Sequence, residues 1–237
     1  MRRRTKVVLA LCAMVVIGAA GGIWWFLRDD APPRVSLEAA AESATGQTGT
    51  REGIAGDWSV DADSGTFDFE TATGTFAGFR IEERLTGIGS TTAVGRTGEV
   101  SGKITIEGTT LIAASFEVDT ASITTNDRRR DDNVASALSV TQFPNASFAL
   151  TAPVELGADA ADGNPIAIDA TGTLTIKGVT KNVTIPIEAQ LVNGTVVVIG
   201  STDIVFSDYG VTVPRSQIVL SVEDHGVVEF QLLLQPA

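Results

Sequence analysis

The stretch Gly172–Ala189, GTLTIKGVTKNVTIPIEA, constrains this chain more than any other. Leu174 and Ile176, then Val183, Ile185 and Ile187, recur at every second position with polar residues between them. Successive side chains of an extended strand point to opposite faces, so the pattern predicts two half-buried strands. Lys177-Gly178-Val179-Thr180-Lys181 supplies the reversal between them. A lone hairpin is marginal in water, and its apolar face must therefore meet further strands.

Such strands are predicted through most of the remaining sequence. Asp57–Val60 and Thr66–Phe69 alternate apolar with polar residues, and Phe76–Leu85 does so less regularly. Further runs lie at Gly98–Glu107, Thr109–Asp119, Ala146–Leu156, Ile166–Ile176, Val183–Gln190, Thr195–Phe206, Gln217–Val222 and Val227–Leu234. Glu107-Gly108, Asp162-Gly163-Asn164-Pro165 and Val192-Asn193-Gly194 are turn signals between them. Many strands with short connections and no helical crossovers predict an antiparallel sandwich or a closed barrel, and around 180 residues suit one barrel better than two sandwiches. One stretch departs from the pattern. Thr124–Leu138, TTNDRRRDDNVASAL, is predicted as a short amphipathic helix lying across the barrel and stopped before Pro144.

The N-terminal part differs in kind. Val7–Leu27 runs 21 residues without a charge behind a basic cluster at residues 1–6. As a helix it would be roughly 32 Å long, enough to cross a bilayer core. Trp24 and Trp25 fall near its far end, at the level where such rings favour the interface. The expected organisation is a basic stub and transmembrane signal anchor over 1–27, a flexible linker over 28–55, and a β domain over 56–237. This predicts a single-pass protein of the cell membrane with its C-terminal domain outside the cytoplasm. Cleavage after Ala20, or lipid attachment at Cys12, would export the same domain.

Charge and composition restrict the function. Five of the 17 basic residues precede Asp29, so the remainder opposes 12 of them to all 29 acidic residues. A domain this acidic is not expected to bind nucleic acid, which needs clustered Lys and Arg. Cys12 is the only cysteine and His225 the only histidine. Intrachain disulfides, cysteine metal sites and multi-histidine metal sites are thereby excluded, and no cofactor is expected. His225 sits in turn composition and reads as a solvated turn residue. Asp208 and the Arg130-Asp131 pair are the polar groups that could serve catalysis, but both read more simply as loop and helix-cap structure. Arg128-Arg129-Arg130 is read first as salt-bridged to Asp127, Asp131 and Asp132, with one arginine facing an acidic ligand head as the alternative.

Several segments together resemble the YceI-like family of exported lipid-binding proteins. Trp58-Ser59-Val60-Asp61 is similar to its opening W-x-x-D, and Ser122-Ile123 with Thr125, then Arg130-Asp131, to its S-I-x-T and R-D segment. Phe143-Pro144-Asn145-Ala146-Ser147-Phe148 fits [FY]-P-x-x-x-F, and Gly172–Lys181 is close to G-x-L-T-I-[RK]-G-V-T-[RK]. The resemblance covers Asp57 to about Leu234. It implies an extended, lipocalin-like antiparallel barrel whose apolar bore holds a long isoprenoid or similar lipid chain. Asp63-Ser64, Asn133 and Phe206 replace polar residues of the family pattern, which argues against a pyrophosphate head more than against an apolar tail.

On this reading the wall of the bore, and hence the ligand-binding set, comprises Phe116, Phe148, Leu174, Ile176, Ile185, Phe206, Tyr209 and Phe230, with Arg130 towards a ligand head. Each apolar member could equally be plain core packing. A barrel without ligand, serving an envelope-structural or interaction role, is the alternative that the sequence leaves open.

Overall fold

The computed structural model describes residues 31–44, 53–60, 66–85, 89–212, 219–222 and 224–237. The apolar run Val7–Leu27 lies outside them. Among the described residues no helix is long and apolar enough to cross a membrane.

The β domain is one antiparallel sheet closed into a barrel. In chain order its strands are β1 (Gly56–Val60), β2 (Phe76–Leu85), β3 (Gly89–Thr97), β4 (Val100–Glu107), β5 (Thr110–Asp119), β6 (Thr124–Thr125), β7 (Asn145–Leu150), β8 (Val154–Glu155), β9 (Ile166–Ile176), β10 (Val179–Val192), β11 (Thr195–Val205), β12 (Val219–Val222) and β13 (His225–Pro236). Eight of them, in the order β1-β4-β5-β7-β9-β10-β11-β13, form a ring that closes by pairing β13 with β1. Closure removes the exposed edges that would otherwise invite association. The free edge of β13 is divided. Leu234–Pro236 pair with β1, while Val227–Gln231 pair with β2, which carries β3 and β6 beyond it.

The hairpin that dominated the sequence is β9–β10, paired in unbroken register from Val179↔Ile176 to Ala189↔Ile166. Lys177 and Gly178 at its tip both have positive φ, 51° and 75°. Three predicted elements are corrected. Thr66–Phe69 forms a turn with a single bridge, Asp68↔Thr73, because the Asp68 carboxylate accepts from the Thr71 backbone and hydroxyl and bends the chain. The run Ala146–Leu156 is broken at Pro153 into β7 and β8, proline having no N–H for the ladder. The predicted helix Thr124–Leu138 shrinks to α2 (Asp131–Leu138; α1 is described below), since Thr124 and Thr125 pair with β3. Asp131 accepts from the Thr125 amide and hydroxyl and holds that junction.

The barrel has two unlike ends. At the base, Trp58 is fully buried and donates its indole N–H to the Ile54 carbonyl at 2.7 Å. Ile106, Leu111, Leu234 and Ala160 of the short helix α3 (Gly157–Ala161) complete this plug. At the opposite end lie α2 and the 3-10 turn Phe206–Tyr209. His225 opens β13 there, exposed and opposite Val205.

Residues 31–44 are not free linker. They form a strap on the outside of the barrel that ends in α1 (Leu37–Ala44). Leu37, Ala40 and Ala44 pack on Val197, Ile199 and Leu233, and the small alanines let the helix lie close to the sheet. The composition that reads as linker lacks large apolar residues of its own, but here the sheet supplies them.

Under the strap's N-terminal end lies a buried ionic cluster. Glu229 accepts from Arg80 Nε at 2.7 Å and from Arg96 Nη2 at 2.7 Å, and all three side chains are 5% exposed or less. One carboxylate does not balance two guanidiniums. The Pro33 carbonyl accepts from Arg80 at 2.5 Å and Arg96 at 2.6 Å, and the Pro32 carbonyl accepts from Arg80. Arg96 also lies 4.5 Å from the centroid of the Phe76 ring. Burial draws the Arg96 guanidinium below its ordinary pKa, while Glu229 acts to hold it up. Glu229→Gln leaves both cations buried without their counter-charge, a loss of about 3–5 kcal/mol. For a domain of this size that lowers the thermal midpoint by roughly 6–20 °C, measurable by differential scanning calorimetry.

Candidate functional site

The barrel interior above the base plug is a cavity of about 240 Å³. Along β5 its wall runs from Leu111 through Ala114, Phe116 and Val118, followed by Thr120, a contour of roughly 30 Å at the strand rise. No residue lining it carries a charge, and Thr120, Ser147 and Tyr209 are its only polar side chains among the described residues. An apolar space of this kind stays dry and favours apolar occupants. A separate void of about 50 Å³ lies deeper, between Ile54, Ile106, Leu156 and Ala160.

Phenylalanines fit into the wall without closing the bore because glycines on neighbouring strands receive their rings. A Cβ on Gly200 would stand 2.5 Å from the ring of Phe230, its cross-strand partner. A Cβ on Gly172 would stand 2.4 Å from Phe148, and one on Gly102 2.3 Å from Phe116. Each ring therefore lies along the sheet rather than across the lumen, a pairing that also covers the glycine. Gly200→Ala forces the Phe230 ring off the wall. The expected result is a smaller lumen and weaker uptake of an apolar fluorophore, read by titration, with the barrel's circular dichroism unchanged.

All eight wall residues singled out in the sequence stand on this wall: Phe116, Phe148, Leu174, Ile176, Ile185, Phe206, Tyr209 and Phe230. Strand alternation places six of them there from five strands, and the 3-10 turn after β11 adds Phe206 and Tyr209. Leu174 and Ile176 of β9, for example, face inward with the intervening Thr175 outward, bonded to Thr180. Arg130 does not join them. Its Nη2 donates to Glu83 Oε2 at 2.7 Å and its Nη1 to Asn126, off the lumen wall. Arg129 pairs with Asp127 at 2.8 Å, whereas Asp131 serves Thr125, so Arg129 is held by a local partner and Arg130 by a distant one. Wall residues missed in the sequence include Ile81, Val228 and Leu232, which the alternation of β2 and β13 could have marked, and Val134, Ala137 and Leu138 of α2. The latter form the cover at the end away from the base.

Tyr209 is 3% exposed at that end. Burial, with the neighbouring Asp208 charge, raises its phenol above the usual value of 10.0. It is the only tyrosine, so tyrosinate absorbance reads it alone. The folded chain is expected to develop that signal at higher pH than the unfolded chain. Because the folded state keeps its proton longer, stability falls as pH rises past about 10.

A closed antiparallel barrel with a dry lumen defines a class of small binding folds. The sequence profile of the YceI-like domain matches residues 58–234, and the chain belongs to this family. A UPF0312 protein of Enterobacter sp. (strain 638) is 42% identical over 77 residues. That match takes in 32% of this chain and 35% of the relative, so the chain aligns with about a third of the relative's length. Among solved structures, a polyisoprenoid binding domain from Saccharophagus degradans implicated in plant cell wall breakdown superposes with a TM-score of 0.58. It is 20% identical, and the superposition covers 76% of this chain and 98% of that one. BcnA of Burkholderia cenocepacia gives 0.54 at 20% identity, covering 73% of this chain and 98% of that chain. At these identities the likeness concerns the fold.

Proposed function

We propose that this protein holds a long apolar chain, isoprenoid-like or fatty, in the barrel lumen, and that the run Val7–Leu27 anchors it to the cell membrane with the barrel outside the cytoplasm. The observation carrying the first part is the uncharged lumen kept open by phenylalanine rings laid against glycines. The structural likeness to a domain described as polyisoprenoid binding supports the same reading. Each CH₂ of a tail that leaves water gains about 0.8 kcal/mol, so a long chain outweighs any single head-group contact. With Arg130 committed to Glu83, no cation among the described residues faces the lumen to meet a phosphorylated head. The eight wall residues are the proposed ligand contacts, and the function is binding without chemistry of its own. The anchor reading rests on the length and charge-free character of residues 7–27.

The test is solvent extraction of the purified full-length protein followed by mass spectrometry, in parallel with Ala114→Phe, which places a ring in the lumen. The unaltered protein is expected to release a long-chain lipid near equimolar amount and the variant to release several-fold less. A clean extract from the unaltered protein, or equal lipid in both, overturns the reading and leaves a barrel with a structural or interaction role.

A further inference from the structure

We infer that the end of the barrel bearing α2 and the Phe206–Tyr209 turn docks on an anionic lipid surface, the membrane that anchors this chain. The inference rests on the anchor reading above and adds an orientation that the anchor alone does not give. Three observations carry it.

The first is the direction of the strap. Its start is fixed by the Pro32 and Pro33 carbonyls on Arg80 and Arg96, at the level of Glu229. Its helix lies further towards the base, against Val197 and Leu233. On β13, Glu229 is four residues from His225 at the α2 end and seven from Pro236 at the base. At the strand rise these are about 13 and 23 Å. The chain thus reaches the barrel nearer the α2 end and then runs away from it. Only residues 28–30 separate Leu27 from Ala31, a reach of at most about 14 Å.

The second is charge. The base turns expose Asp57, Glu107, Glu155, Asp159 and Asp162, with no basic side chain among the described residues there. At the α2 end, Arg128 and Arg129 are exposed, and Lys177 and Lys181 stand beside the Phe206–Tyr209 turn. Glu83, Asp127 and Asp208 at this end are each paired with a basic group, and Asp131, Asp132 and Asp224 lie there too, so this end mixes both signs where the base carries carboxylates alone. A negative surface therefore repels the base more strongly than the α2 end, where the exposed Arg128 can meet lipid phosphate.

The third is access. The base is plugged by Trp58 and its neighbours, whereas α2 has no fully buried residue although Val134, Ala137 and Leu138 line the lumen. A tail would then pass between bilayer and lumen beneath α2 without crossing water.

The experiment uses the full-length chain with Cys12→Ser, carrying a fluorophore on a single cysteine introduced by Asn133→Cys on α2 or by Asp162→Cys at the base. The protein is reconstituted in vesicles of phosphatidylglycerol and phosphatidylcholine with a head-group quencher. The α2 probe is expected to be quenched at least about twofold more than the base probe. Equal quenching, or stronger quenching at the base, in protein retained through an alkaline carbonate wash overturns the orientation and leaves the anchor standing. Release by that wash overturns the anchor reading, and this inference with it.

Discussion

Strand β13 is buried on both faces, and the rest of the molecule is built on that constraint. Its inward set, Val228, Phe230 and Leu232, lines the lumen, and Leu234 continues into the base plug. Its outward set, Glu229, Gln231 and Leu233, is 1% exposed or less beneath the strap and the segment that precedes β2. Gln231 donates to the Ala72 and Gly74 carbonyls, and the Leu233 amide donates to Thr75. A strand of a small barrel ordinarily shows one face to water, so its outward residues can be any polar ones. Here they must satisfy one another and the chain above them, which is why a carboxylate, two guanidiniums and two proline carbonyls meet there.

The two faces do different work. Inside, binding needs emptiness, and close-packed interiors do not leave space by default. Space survives because bulk is folded against the wall: a phenylalanine over a glycine occupies two side-chain positions with one ring. Outside, the ionic cluster gives little net stability over an apolar equivalent, since desolvating the charges offsets their attraction. Its contribution is geometric. The guanidiniums have directed donors that only carbonyls in the right place can accept, so the strap has one position rather than a range of greasy alternatives.

Much of the barrel was legible because its strands obey a period of two. The β9–β10 hairpin could be read to within a few residues, and the six wall residues on strands could be named, since alternation assigns a side chain to a face. Arg130 shows where that reading ends. Its neighbours in sequence, Asp131 and Asp132, offer partners, yet it reaches Glu83 on β2, 47 residues away. No local pattern announces such a pair. The helix bounds failed for a related reason, because β3 recruited Thr124 and Thr125 into the sheet.

The sequence alone determined the all-β character, the apolar face of most strands and the exclusion of cysteine or multi-histidine metal sites and of intrachain disulfides, because these depend on residue type and local spacing. Tertiary structure alone decided that the inward face encloses a cavity instead of a filled core. That depends on which glycine lies opposite which phenylalanine once β4 and β5, β7 and β9, and β11 and β13 are in register. It also turned residues 31–44 from an apparent linker into part of the domain, since Ala40 and Ala44 become buried only when Val197, Ile199 and Leu233, more than 150 residues later in the chain, form the surface they pack on.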